Sequence, residues 1–263
     1  MESLKSTLAW LLWLWMSAVL AGAFLYAPLA QGFIGQSSRI LFFHVPMAWT
    51  AFVAFLAAGV WSVRYLFAGR HERHDRAARV AIELGLVFGL LATVTGSLWA
   101  RIMWGAYWNW DPRQTSIVIA LVFYGAYLAL RDAVEDGEKR ARLAAAYAAL
   151  GLVVTPFLFF IVPRITFSLH PDSVVNARGK VEMEARMLQV LLASGTGFTA
   201  LFFWLHNLRC RLLALEERAE AREGTRAPDE ARVGTRAPDE IARAGTPASN
   251  EAAPLATRAS EGA

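Results

Sequence analysis

A chain of 263 residues has room for one or two soluble domains, yet only 18% of it is charged and 56% is hydrophobic. Soluble domains usually carry about a quarter charged residues. The formal net charge of +4 would suit a nucleic-acid binder, but the basic residues gather at the ends of apolar runs, where membrane topology puts them. A single cysteine, Cys210, excludes an intrachain disulfide.

Residues 6–38, 40–63, 85–100, 114–130, 143–163 and 187–208 contain no Asp, Glu, Lys or Arg. A helix needs roughly 20 apolar residues to cross a bilayer, and each window reaches that length alone or with its apolar flanks. The pattern predicts an all-α, polytopic membrane protein with six transmembrane helices. The first span, about 8–30, is far longer than the roughly 7–15 apolar residues of a signal peptide, so it is read as retained. A short loop with Gly32, Gly35 and Ser37 leads to span two, about 43–67. Span three covers about 80–100 and span four about 115–130. Span five, about 143–162, contains Pro156, which removes a helix donor and predicts a kink. The loop 163–186 precedes span six, about 187–208. Glu83 stands four residues after Arg79 and is read as its local partner.

Two loops are basic: 68–79, with Arg70, Arg73, Arg76 and Arg79, and 131–142, with Arg131, Lys139, Arg140 and Arg142. Together with Lys5, Arg209 and Arg211 they outweigh the opposite side, which carries Arg39, Arg101, Arg113, Arg164, Arg178, Lys180 and Arg186. The positive-inside bias therefore puts both termini in the cytoplasm. Residues 1–210 form the membrane domain. Residues 211–263 change character, and Gly-Thr-Arg-Ala-Pro-Asp-Glu occurs at 224–230 and again at 234–240. Such a segment lacks the apolar content to build a core and is expected to be a disordered cytoplasmic tail.

The outer segment after span three holds Trp104, Tyr107, Trp108 and Trp110 within seven positions, bracketed by Arg101 and Arg113. An aromatic belt at the interface accounts for one or two such rings. A flat apolar ligand with anionic edges is the other reading: indoles would meet its faces and guanidiniums its carboxylates. A porphyrin with propionates is a ligand of that kind. Helical spacing would put Trp104 and Trp108 on one face. Asp111-Pro112-Arg113-Gln114 reads as the start of span four, with Asp111 as N-cap, Pro112 at the first helical position and Gln114 reaching back as a capping box.

Of the five histidines, His71 and His74 lie in a basic loop without a third ligand in sequence, and His206 lies near the inner end of span six. His44 and His170 fall on the outer side, each one or two residues before a proline (His44-Val45-Pro46 and His170-Pro171). Proline pushes its predecessor toward extended geometry, so His44 is expected at the lip of span two and His170 in the long loop. Two neutral imidazoles on the side that bears the tryptophans could ligate one haem iron. The chain has no Cys-x-x-Cys-His motif for covalent attachment. A membrane b-type haem electron-transfer protein is the alternative, although such proteins place ionisable ligands deep in the hydrocarbon. A permease, with polar or broken helices around a midplane cavity, fits less well.

Phe43-His44-Val45-Pro46-Met47-Ala48-Trp49, the run from Trp104 to Ser116, and Ser168-Leu169-His170-Pro171 resemble the haem exporter protein C family, the C component of the Ccm cytochrome c maturation system. The run from Trp104 matches the WWD motif of haem-handling proteins, and the likeness covers about residues 1–210. It implies a delivery protein and not an enzyme. Such a protein presents haem b, as transported substrate, at the periplasmic face of the bacterial inner membrane and promotes its transfer to a periplasmic haem chaperone. Its implied partners are an ABC-type ATPase, a partner membrane subunit, a small single-span subunit and membrane lipid, with no nucleic acid. By this resemblance His44 and His170 are axial ligands of the iron, Trp104, Trp108, Trp110 and Asp111 form the platform, and Arg101 and Arg113 flank it. The repeat-bearing tail lies outside the family pattern.

Overall fold

The computed structural model describes residues 2–30, 32–170 and 183–234, and among these all regular structure is helical. Helix α1 (Glu2–Ala21) continues as a π turn, Gly22–Tyr26. A 3-10 segment, Gly32–Ile40, broken at Gly35, feeds α2 (Leu41–Phe67). Then come α3 (Glu72–Trp104), α4 (Pro112–Ala133) and α5 (Gly137–Pro156), followed by a second π turn, Phe157–Ile161, and short α6 (Val162–Ile165). Helix α7 covers Ala185–Gly234. Six helical segments are long and apolar enough to cross a membrane: Ser6–Tyr26, Gly35–Phe67, Glu72–Trp104, Pro112–Ala133, Gly137–Ile165 and Ala185–Arg222. The protein is thus an all-α, multi-pass membrane protein.

The chain divides into two units, Met1–Leu213 and Ala214–Ala263. The first repeat, 224–230, lies within α7. The rest of the tail, from residue 235, is outside the described residues.

Small residues let the central helices approach closely, as membrane packing requires where no water drives helices together. Phe55 of α2 stacks on Tyr124 of α4 with ring centroids 3.8 Å apart. A methyl group at Gly85 would come within 2.6 Å of the Phe55 ring, and one at Gly151 within 2.2 Å of the Tyr124 hydroxyl. That hydroxyl and Thr155 share a hydrogen bond of 2.7 Å. Helix α1 packs on α7, where the Trp15 indole donates to the Ala193 carbonyl at 2.9 Å and the Tyr26 hydroxyl to Gln189 at 2.9 Å.

Two prolines show how apolar helices absorb a missing donor. Pro46 lies inside α2 and cannot bond the carbonyl one turn back, at Phe42. The Ser194 hydroxyl of α7 donates to that carbonyl instead. His44 is accordingly helical, one turn inside α2, and not at an extended lip: the neighbouring helix satisfies what proline leaves open. At Pro156 the chain changes register into the π turn, a common response to such a break.

Ion pairs, within and between helices, gather at the end of the bundle away from the Trp-rich loop. Arg131 grips Asp75 bidentately at 2.6 and 2.8 Å, Arg70 meets Glu138 at 2.9 Å, and Arg79 meets Glu83 at 2.8 Å. There His206 Nε2 binds the Ala77 carbonyl at 2.9 Å.

Candidate functional site

Helix α3 ends in the Trp-rich motif because Gly105, at φ 77°, turns the chain left-handed while its N–H returns to the Arg101 carbonyl. Trp104 is the last residue of the helix, so Trp104 and Trp108 do not share a helical face. Trp104 instead meets Trp99 edge-on at 5.4 Å, and Trp108 meets Trp110 edge-on at 5.7 Å. Trp110 carries a positive φ of 55°, rare for a bulky residue, and the residue is 73% exposed. Arg101 donates to the Gly105 carbonyl and lies over the Tyr107 ring at 5.7 Å, so it closes the helix end while bordering the loop.

Asp111 caps α4, accepting from the Arg113 N–H at 2.9 Å with Pro112 at the first helical position. Gln114 reaches back two residues beyond the cap, to the Asn109 N–H at 3.0 Å. The Asp111 side chain is buried and does more than cap. It accepts from the Leu169 N–H at 2.7 Å and the Ser168 hydroxyl at 3.0 Å, and lies 2.7 Å from His170 Nδ1. A local capping residue thereby pins the segment after α6 against the start of α4. Burial alone would raise the Asp111 carboxyl, but its donors outweigh that and hold it below the usual carboxylate range.

His170 sits in the angle of two indoles, with Trp104 edge-on at 4.8 Å and Trp99 at 6.3 Å. Burial pushes its imidazole below the ordinary histidine value; Asp111 pulls it up and Arg113 pushes it down, and burial prevails. The ring is therefore neutral near pH 7, with Nδ1–H donated to Asp111. Nε2 keeps the lone pair.

His44 is held from α3. Its Nδ1 lies 3.0 Å from the Ala92 carbonyl and 3.1 Å from the Thr95 hydroxyl. Since the Thr95 hydroxyl already donates to the Leu91 carbonyl at 2.8 Å, the His44 ring is the donor, again through Nδ1. Gly96 permits this, because a methyl group there would come within 2.8 Å of His44 Cε1. Among the described residues, no hydrogen bond reaches Nε2 of either histidine. The His170 ring lies within electrostatic reach of His44.

The structure thus brings His44, His170, Trp104, Asp111 and Arg113 to one end of the bundle, with Trp108 and Trp110 on the adjoining loop. Three contributors escaped the sequence. Trp99 lay inside a charge-free window, with nothing to set it apart from its apolar neighbours. Thr95 and Ser168 act through contacts whose distance in sequence hides them. Residues 171–182, which include Pro171, Arg178 and Lys180, are outside the described residues. Asn109 Nδ2 and Ser116 Oγ are buried without a hydrogen-bond partner among the described residues.

A family model described as "CcmC: Heme exporter protein C" matches residues 1–225. "Heme exporter protein C" of Bradyrhizobium diazoefficiens is 36% identical over 189 residues, covering 71% of this chain and 70% of that protein. The protein of the same description from Rhodobacter capsulatus is 31% identical over 208 residues, covering 78% and 84%. A "Putative cytochrome c biosynthesis ccmC-like mitochondrial protein" of Arabidopsis thaliana is 33% identical over 202 residues, covering 74% and 75%.

Proposed function

The chain belongs to the Heme exporter protein C (CcmC) family, and on that footing we propose that it binds haem at the periplasmic face of the inner membrane and hands it to a periplasmic haem chaperone for c-type cytochrome maturation. It acts as the haem-delivery subunit of an ABC-type complex with an ATPase, a partner membrane subunit and a small single-span subunit. It is a delivery protein and not an enzyme, and its haem b is cargo.

The observation that carries this reading is the matched state of the two histidines. Each spends Nδ1 on a protein acceptor, His44 on the Ala92 carbonyl and His170 on Asp111. Each is left with Nε2, the ring nitrogen suited to an iron ligand. An Nδ1–H donated to a carboxylate or carbonyl fixes ring orientation and raises basicity at Nε2. Trp99 and Trp104, which already flank His170, offer apolar faces to a porphyrin, and Arg113 and Arg101 border its anionic edge.

Roles divide by exposure. Asp111 is buried and keeps His170 in place, so it acts in haem retention. Trp110, propped outward by its left-handed backbone, is placed for hand-over to the chaperone. Visible spectra of the purified protein test the assignment. Wild type is expected to show a low-spin, bis-histidine Soret band, and the His44→Ala, His170→Ala double variant to lose it. A double variant with unchanged haem content and band position would refute the ligand pair.

A further inference from the structure

At the opposite end of the bundle, away from the Trp-rich loop, a second group of residues comes together. Trp61, Arg64 and Ala68 of α2 and the turn after it line an open cavity of about 490 Å³ together with Arg73 and His74 of α3. The Arg64 guanidinium lies 4.9 Å over the Trp61 ring, and His74 stacks on the same indole at 5.6 Å. His71 meets His74 edge-on at 5.5 Å.

This positive cluster differs from its surroundings. Arg70, Arg79 and Arg131 each hold a carboxylate, from Glu138, Glu83 and Asp75. Among the described residues no carboxylate pairs with Arg64 or Arg73. His74 is only 6% exposed, yet its Nδ1 is buried without a hydrogen-bond partner among those residues. A buried polar atom left unsatisfied is costly, and two unpaired guanidiniums beside it call for an anion.

Depth selects the anion. Along α2, at roughly 1.5 Å per residue, Arg64 lies about 30 Å from His44, close to the thickness of the hydrocarbon layer. The cavity therefore opens at headgroup level in the leaflet opposite the Trp-rich loop. Phe67 and Val60 on the same helix are 83% and 44% exposed and present apolar surface to acyl chains. We propose that the cavity binds the phosphate of an anionic phospholipid, with Arg64 and Arg73 on its oxygens and the neutral His74 ring donating its Nδ1–H to complete the contact.

Native mass spectrometry of the delipidated full-length protein, titrated in detergent with phosphatidylglycerol, phosphatidylcholine or inorganic phosphate, tests this. Phosphatidylglycerol is expected to occupy one site more tightly than phosphatidylcholine. The R64Q/R73Q double variant should weaken that binding about tenfold or more. R70Q/R79Q, which removes cations already paired with carboxylates, should leave it unchanged. Should the first double variant fail to fold, His74→Phe keeps a ring against Trp61 but removes Nδ1, and should itself weaken retention. Undiminished phosphatidylglycerol binding in the folded variant, or equal retention of the two lipids, overturns the proposal. Displacement of phosphatidylglycerol by inorganic phosphate at matched concentration overturns the lipid as the source of the phosphate.

Discussion

Asp111 joins two tasks that are usually separate. As the N-cap of α4 it was legible in the sequence, because capping chemistry is local: an acceptor, a proline and a following amide suffice. Its second task, gripping His170 from 59 residues away, was not legible, since no pattern marks a contact made by folding. The same holds for Trp99, whose indole reads as one more apolar residue until His170 is placed beside it. The Asp111–His170 contact has a titration consequence. Burial favours the neutral imidazole in the folded protein, so the folded pKa lies below the ordinary value of 6.5. Its contribution to stability is complete above pH 6.5 and is lost as pH falls from there toward the folded pKa. Asp111 partly opposes the shift, raising His170 by charge and by hydrogen bond. Asp111→Asn should therefore lower the His170 titration further, a counterintuitive direction for a variant that weakens the site. NMR of histidine-labelled haem-free protein, with His170→Gln supplying the assignment, reads both midpoints. A midpoint that rises in Asp111→Asn would show that burial does not govern this ring.

At the scale of elements, composition located all six spans, because the bilayer sets a minimum apolar length whatever the packing. It placed their ends less well. The first span gives way to extended backbone at Ala27, and the second begins with Leu41 ahead of the histidine. At the second, a neighbouring helix decides. Pro46 alone argued for an extended His44, but Ser194 accommodates the proline within a helix by supplying the missing donor to Phe42. The first turns of α2, and hence the orientation of His44, therefore lean on α7. Ser194→Ala leaves that carbonyl without a partner in an apolar setting and should cost about 1–2 kcal/mol, read as a lower midpoint of unfolding in detergent. Thr196→Ala is the control. Its hydroxyl bonds the Leu192 carbonyl within its own helix at 2.9 Å, where the backbone bond remains, and little change is expected. Equal effects of the two substitutions would remove the special role of the α2–α7 clamp.

For the molecule as a whole, its two ends have different chemistry. One end gathers aromatic rings, a capping carboxylate and two neutral imidazoles. The other gathers cross-helix ion pairs, with arginines of the α2–α3 and α4–α5 turns among them. The second arrangement is the one that the positive-inside bias expects in the cytoplasm, and the proposed delivery to a periplasmic acceptor requires the first to face the periplasm. The sequence supplies a convenient means of measuring this orientation, because Cys210 is its only cysteine. In a Cys210→Ser background, a cysteine at Tyr107, which is 57% exposed, reports the Trp-rich end, and one at exposed Glu135 reports the other. A membrane-impermeant maleimide added to spheroplasts should label Tyr107→Cys directly and Glu135→Cys only after the membrane is opened. The reverse pattern would put the imidazoles in the cytoplasm, where a periplasmic acceptor could not reach their haem, and delivery at the outer face would have to be abandoned even if both histidines bind iron.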